Sequence, residues 1–170
     1  MKRLYPLILL LLVCPTFGRS GAADPVKGVC TLTLKNSPTV HGLQLRMAEA
    51  DFKKIVGSRD APMLNSSELA TLNGFEDIEN LSYGFYKAKL SDFLISYHVS
   101  RPLSGKDFAQ SVSERLKLPT DAWVFADDSD ATMQCNGFKV RISTLAYRVR
   151  LIDTVAFAAM AKENGTEENK

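Results

Sequence analysis

Apolar positions along this 170-residue chain follow two periods, one helical and one alternating. Ala48, Phe52, Ile55 and Val56 recur at helical spacing, which predicts an amphipathic helix over this stretch. Glu49 and Asp51 fall in its first turn and Lys53 and Lys54 near its last, each on the side the helix dipole favours. Gly57 follows as a left-handed C-cap. Leu43 and Leu45 alternate around Gln44, so the approach to this helix is extended. A second helix opens at Ser104, an N-cap with Asp107 at the capping-box position. Phe108, Val112 and Leu116 form its stripe, and Leu118-Pro119 ends it.

Strands account for most of the remainder. Val29 to Leu34 alternates, and Pro38 closes that run because proline donates nothing to a ladder. Residues 58–77 read as irregular, with a helical turn or two in 66–72. Leu81, Tyr83 and Phe85 share one face of a strand, and Phe93, Ile95, Tyr97 and Val99 share one face of the next. Lys87 to Asp92 is read as the polar connection between them. Ala122–Ala126 is a short strand, Asp127–Asp130 a polar turn, and Ala131–Cys135 a strand. Asn136-Gly137 is a strong hairpin signal. Phe138, Val140 and Ile142 then alternate with Lys139 and Arg141, and Tyr147, Val149 and Leu151 with Arg148 and Arg150. Asp153-Thr154 caps a short helix over 155–162. Helices and hairpins segregate, which predicts an α+β domain with two main helices packed on one face of an antiparallel sheet. An Asp-Phe pair occurs in both helices, at 51–52 and 107–108, and strands follow each time, an echo of a duplicated unit.

The N-terminus adds a destination. Lys2 and Arg3 precede an apolar run, Leu7 to Val13, that is shorter than the ~20 residues a bilayer span needs. Small residues follow at 20–23, so residues 1–23 read as a signal peptide. Cys14 follows Val13, where a lipobox wants Ala or Gly, and is taken as part of the apolar run. The expected organisation is a leader (1–23), a single α+β domain (24–162) and a disordered polar tail (163–170). The formal net charge is +2, but the leader holds three cations and no acid, so the remainder carries 18 basic against 19 acidic residues. A net of −1 gives no argument for nucleic-acid binding. Cys30 and Cys135 remain, an even pair that in an exported protein suggests a disulfide, with two free thiols as the alternative. The sequons at Asn65, Asn80 and Asn164 matter only in a eukaryotic secretory route.

Residues 43–57 carry Met47, Glu49, Phe52, Val56 and Gly57 in the order of a known signature. The stretch resembles the BamE/SmpA-type outer-membrane assembly lipoproteins and related exported bacterial domains, with Arg46 standing where that family has its first glycine. The resemblance implies a helical pair on a small antiparallel sheet, a periplasmic location and a binding role without catalysis. The sheet-rich C-terminal half is also similar to the tandem helix–sheet repeats of secreted β-lactamase inhibitory proteins, which implies docking on a partner enzyme across a concave sheet.

Candidate chemistry is sparse. His41 and His98 have no Cys, Ser or carboxylate at motif spacing, and no nucleophile elbow, phosphate loop or metalloprotease helix occurs. Asp127, Asp128 and Asp130 lack the Gly and distal Glu of a calcium loop and read as a solvated turn. No metal ligands and no cofactor site are expected. Lys139, Arg141, Arg148 and Arg150 form the sharper pattern: if their strands pair, all four project from one sheet face, with Lys87 and Lys89 nearby. Such a face suits an anionic partner, whether an envelope component or an acidic protein. The same alternation also arises on the polar side of any one-sided sheet. The expectation is an exported, periplasmic or secreted, non-enzymatic binding or envelope-associated module. The alternatives are an inhibitor-like protein docking across the sheet and a small hydrolase with a dispersed site.

Overall fold

The structure, a computed structural model, describes residues 28–57 and 62–167. The predicted leader, Cys14 and the last three residues lie outside the described residues. Among the described residues the chain forms one antiparallel sheet of seven strands and four α-helices, an α+β architecture. The strands are β1 (Met63–Asn65), β2 (Ile78–Tyr86), β3 (Lys89–Tyr97), β4 (Val124–Phe125), β5 (Asp130–Gln134), β6 (Phe138–Ser143) and β7 (Arg148–Asp153). Their spatial order is β1-β2-β3-β7-β6-β5-β4. Two runs, β1-β2-β3 and β5-β6-β7, therefore meet at a β3–β7 seam, each with its last strand inward. The seam joins residues far apart in sequence, such as Ile95 opposite Val149.

One sheet face is apolar. Leu81, Phe93, Ile95, Val149, Leu151, Val140, Ile142, Ala131 and Met133 are all buried at alternate positions. Helix α1 (Glu49–Val56) inserts Phe52 against the rings of Tyr83 and Phe85, with centroids 4.4 and 5.2 Å away. Gly57 ends this helix, but not in the left-handed helical conformation expected of a C-cap. With φ +85° and ψ 160° it occupies a region open almost only to glycine. Helix α2 (Ser66–Leu69) starts with a capping box between Asn65 and Glu68. Helix α3 (Gly105–Leu116) is capped by Ser104, whose Oγ accepts from the Asp107 N–H at 3.2 Å. Phe108 meets Tyr147 edge-on at 5.5 Å. Trp123 is buried beneath α3, its indole N–H donating to Ser113 Oγ at 2.8 Å. Helix α4 (Thr154–Glu167) follows β7 directly.

Several expectations require correction. Residues 29–34 form no strand: a single parallel bridge joins Thr33 to Asn136, and a 3-10 turn covers Leu34–Asn36. The alternating pattern there instead packs the segment beside the β5–β6 turn. Lys87 to Asp92 is not a connection. The β2–β3 turn is only Lys87 and Ala88, both with positive φ (+50° and +57°), while Lys89–Asp92 belong to β3. These are left-handed positions without glycine or asparagine, so the usual hairpin signal is missing. Tyr147 also lies in a left-handed turn (φ +43°), before rather than within β7. Strand β1 was not expected, and α4 continues through the first residues of the predicted tail.

Cys30 and Cys135 form the predicted disulfide, with Cα atoms 4.8 Å apart across a separation of 105 residues. It fastens the segment before α1 to the end of β5. Closing a loop of this length stabilises by up to about 4.7 kcal/mol in the chain-entropy model.

Candidate ligand-binding face

The outward face of the sheet brings together all four cations singled out by the sequence. Lys139 and Arg141 project from β6, and Arg148 and Arg150 from β7. Arg141 stands directly opposite Arg150, Arg148 opposite Ser143, and Lys139 opposite Ile152. Two like charges directly opposite across a ladder destabilise it. Only Arg150 is neutralised: its Nη2 and Nε donate to Asp92 Oδ2 on β3, at 2.7 and 3.2 Å. Lys139, Arg141 and Arg148 have no carboxylate within 4 Å among the described residues. Between the arginines lies an open depression of about 230 Å³, bordered by Leu94, Asp130 and Ser143. Leu94 and Ile152 place half-buried apolar area among the cations.

The two halves of the sheet differ in charge. Outward positions are Asn80, Ser82, Gly84 and Tyr86 on β2 and Lys89, Asp92, Leu94 and Ser96 on β3, with Lys89 as their one cation, at the hairpin end. Outward positions of β6 and β7 hold the four. Alternation alone explains polarity at these sites, but not four cations and no acid at the outward positions of two adjacent strands; the nearest acid on that half of the face is Asp130 of β5. Lys87 and Lys89 do not join this group. They sit at the β2–β3 hairpin end, beside Arg46 and α4.

The histidines do not complete a catalytic set. His98 lies 3.4 Å from Glu79 Oε1, and both side chains are largely exposed. It borders a cavity of only about 80 Å³, room for two or three waters. His41 forms a cluster that no local motif announces. Its Nδ1 faces the Gly74 carbonyl, which only accepts, so Nδ1 is the donor in that hydrogen bond. Its Nε2 then faces Asp77 Oδ1 at 3.7 Å. Asp77 accepts from Arg115 at 2.6 Å, and the Arg115 guanidinium lies over the Tyr97 ring at 5.0 Å. The Asp77 hydrogen bond pushes Arg115 further above its usual range, and burial pushes Tyr97 up to about 12. No Ser, Thr or Cys side chain hydrogen-bonds to either histidine among the described residues. The cluster ties the turn at 41–42, the loop before β2 and the end of α3 together.

Asp127 behaves as a turn residue. Its Oδ1 accepts from the Ser129 N–H, the Ser129 hydroxyl and the Asp130 N–H, which holds its carboxyl below the ordinary range. Among the described residues no group of three or more His, Cys, Asp or Glu side chains is placed to hold a metal ion. Likewise, no described helix is long and apolar enough to cross a membrane. No family model matches the chain, and comparison with curated proteins and with solved structures found no match either.

Proposed function

We propose that the protein is an exported, non-catalytic binding module of the cell envelope, acting in the periplasm or outside the cell after loss of residues 1–23. The working surface is the outward face of β6 and β7, and the partner is an anionic envelope component. The observation that carries this reading is the confinement of Lys139, Arg141, Arg148 and Arg150 to two adjacent strands of one face, with Arg141 against Arg150 and three of the four without a carboxylate partner among the described residues. A fold gains nothing from an opposed arginine pair, whereas a polyanion does. The disulfide supports an oxidising compartment. Contacts of Phe52 with Tyr83 and Phe85, and the cavity that Phe108 and Val112 share with Tyr97 and Val149, support α1 and α3 on the apolar face, opposite the cations. The likeness of 43–57 to outer-membrane assembly lipoproteins supports an envelope role. Arg46, at that family's glycine position, has φ +65°, a conformation glycine adopts most easily.

Leu94 and Ile152 favour a second reading, docking of the same face on a secreted enzyme, because an apolar centre with a charged rim is how protein interfaces are built. The test is capture from envelope extract by the immobilised protein, compared with a K139E/R141E/R148E variant. Arg150 is left in place because reversing it would set an acid against Asp92. Loss of capture with unchanged melting is the expected result, and equal capture removes the proposal. A captured enzyme in place of an anionic polymer or lipid would move the assignment to the second reading.

A further inference from the structure

A second site is built at the opposite end of the sheet's seam, and it does not rest on the reading of the cationic face. A cavity of about 250 Å³ opens between the β2–β3 hairpin, the turn before α1 and the first two turns of α4. Its floor is apolar: Leu90, Val155, Ala156 and Ala159. Its rim is cationic: Arg46, Lys87 and Lys89.

The charges around it are unequally satisfied. Asp153 is almost fully buried, and its needs are met: Oδ2 accepts from Arg46 Nε at 2.8 Å, and Oδ1 accepts from the Val155 and Ala156 N–H groups, both at 2.9 Å. Lys87 pairs with Glu163 at 2.7 Å, and Glu163 also accepts from the Tyr86 hydroxyl. This hydrogen bond raises Lys87 and lowers Glu163 relative to their ordinary ranges. Two positive groups remain. Arg46 uses only Nε, so its two Nη groups are without an acceptor among the described residues. Lys89 forms no ion pair there either, and its side chain is exposed. The balance at the cavity is one positive charge in excess.

The backbone around the cavity is also unusual. Six non-glycine residues among those described have positive φ, and Arg46, Lys87 and Ala88 are three of them. Each such residue costs on the order of 1–3 kcal/mol and persists where its surroundings hold it. Here the surroundings converge: Arg46 N–H donates to the Leu90 carbonyl, Leu90 N–H to that of Met47, and Glu49 N–H to that of Ala88. The left-handed turns bring a guanidinium and an ammonium to one mouth above an apolar floor.

We propose that this cavity binds a small anionic amphiphile, with its carboxylate or phosphate group between the Arg46 Nη groups and Lys89 Nζ and a short aliphatic part over Leu90, Val155 and Ala159. The volume lies just below the usual range of small-molecule sites, which limits the apolar part to a short chain. A charge-assisted hydrogen bond to each cation fixes the head, and burial of methylenes contributes the rest.

The test is an NMR titration of the purified protein with sodium hexanoate, with hexanol and acetate as controls. Hexanoate saturates shifts at the Ser91, Ala156 and Ala159 amides, while each control binds at least tenfold more weakly. K89Q raises the hexanoate Kd about tenfold. A159L fills the floor and abolishes the shifts while the helix persists, because leucine is a good helix former. K139E/R141E/R148E leaves hexanoate binding unchanged, so this site and the cationic face fail or stand separately. Equal binding of hexanol and hexanoate, an unaffected K89Q or A159L, or association seen only with vesicles of anionic lipid would each overturn the proposal.

Discussion

Substituting Arg46 separates two opposing effects at one position. Its backbone is left-handed (φ +65°), which costs any residue with a Cβ roughly 1–2 kcal/mol relative to glycine. Its side chain supplies the charged donor to the buried Asp153, whose own side chain is only 2% exposed. A hydrogen bond to a charged group contributes about 1.5–3 kcal/mol, and losing it leaves the buried carboxylate with only the two amide donors of α4. R46A keeps the backbone cost and loses the donor, so it should destabilise by about 1.5–3 kcal/mol. R46G loses the same donor but recovers about 1 kcal/mol from the backbone. The expected order is wild type, then R46G, then R46A, with the two variants about 1 kcal/mol apart. Urea denaturation followed by the fluorescence of Trp123, the single tryptophan and a buried one, measures this directly. Adding D153N to R46G removes the buried charge while keeping a capping oxygen, and should restore part of the loss. If R46A proved as stable as R46G, the left-handed backbone would be wrong. If R46G matched wild type, the Arg46–Asp153 bond would contribute nothing.

Three further outcomes follow from the same geometry. Burial holds the Tyr97 hydroxyl neutral up to about 12, against 10 in the unfolded chain, so its contribution is fully present below pH 10 and lost between 10 and 12. That loss is on the order of 2–3 kcal/mol, and Y97F should flatten the alkaline limb of a stability–pH curve across this window. Replacing both Cys30 and Cys135 by serine should lower stability by about 2–4 kcal/mol, read from the denaturation midpoint, with the fold retained in far-UV circular dichroism. R141T should raise stability by about 0.2–1 kcal/mol in low salt by ending the opposition to Arg150, and the gain should shrink as salt screens it. The same substitution should weaken partner capture, since a stability gain at a working surface usually costs function.

The parts of the fold that were legible in the sequence are those where local chemistry and packing agree. Helix α1 has apolar spacing, charge placement and Gly57 all pointing one way, and the alternation in β6 and β7 placed four cations on one face. The Lys87-Ala88 turn was not legible, because two left-handed residues without glycine are stabilised from outside, by the hydrogen bond from Glu49 to Ala88 and by the Lys87–Glu163 pair. Residues 29–34 misled for the opposite reason. Their alternation is real, but the disulfide and the Thr33 bridge tie them beside a turn, with no strand available for a full ladder. The contacts of Arg46 with Asp153 and of Asp77 with His41 and Arg115 span 107, 36 and 38 residues, and no short-range pattern encodes such pairs. Glu163 reads as part of a polar tail until its partners on the hairpin are seen.

The sheet ends on both sides in very short strands, three residues in β1 and two in β4. A peptide that recognises a sheet by adding a strand needs a longer free edge, and its affinity then comes from main-chain hydrogen bonds that any sequence can make. Among the described residues, neither edge strand is long enough to be that template. A partner of the described sheet would then read side chains on its broad surface. On the proposed reading, its preferences are written in alternate residues of β6 and β7, whose outward side chains can be changed one position at a time while the backbone pairing stays.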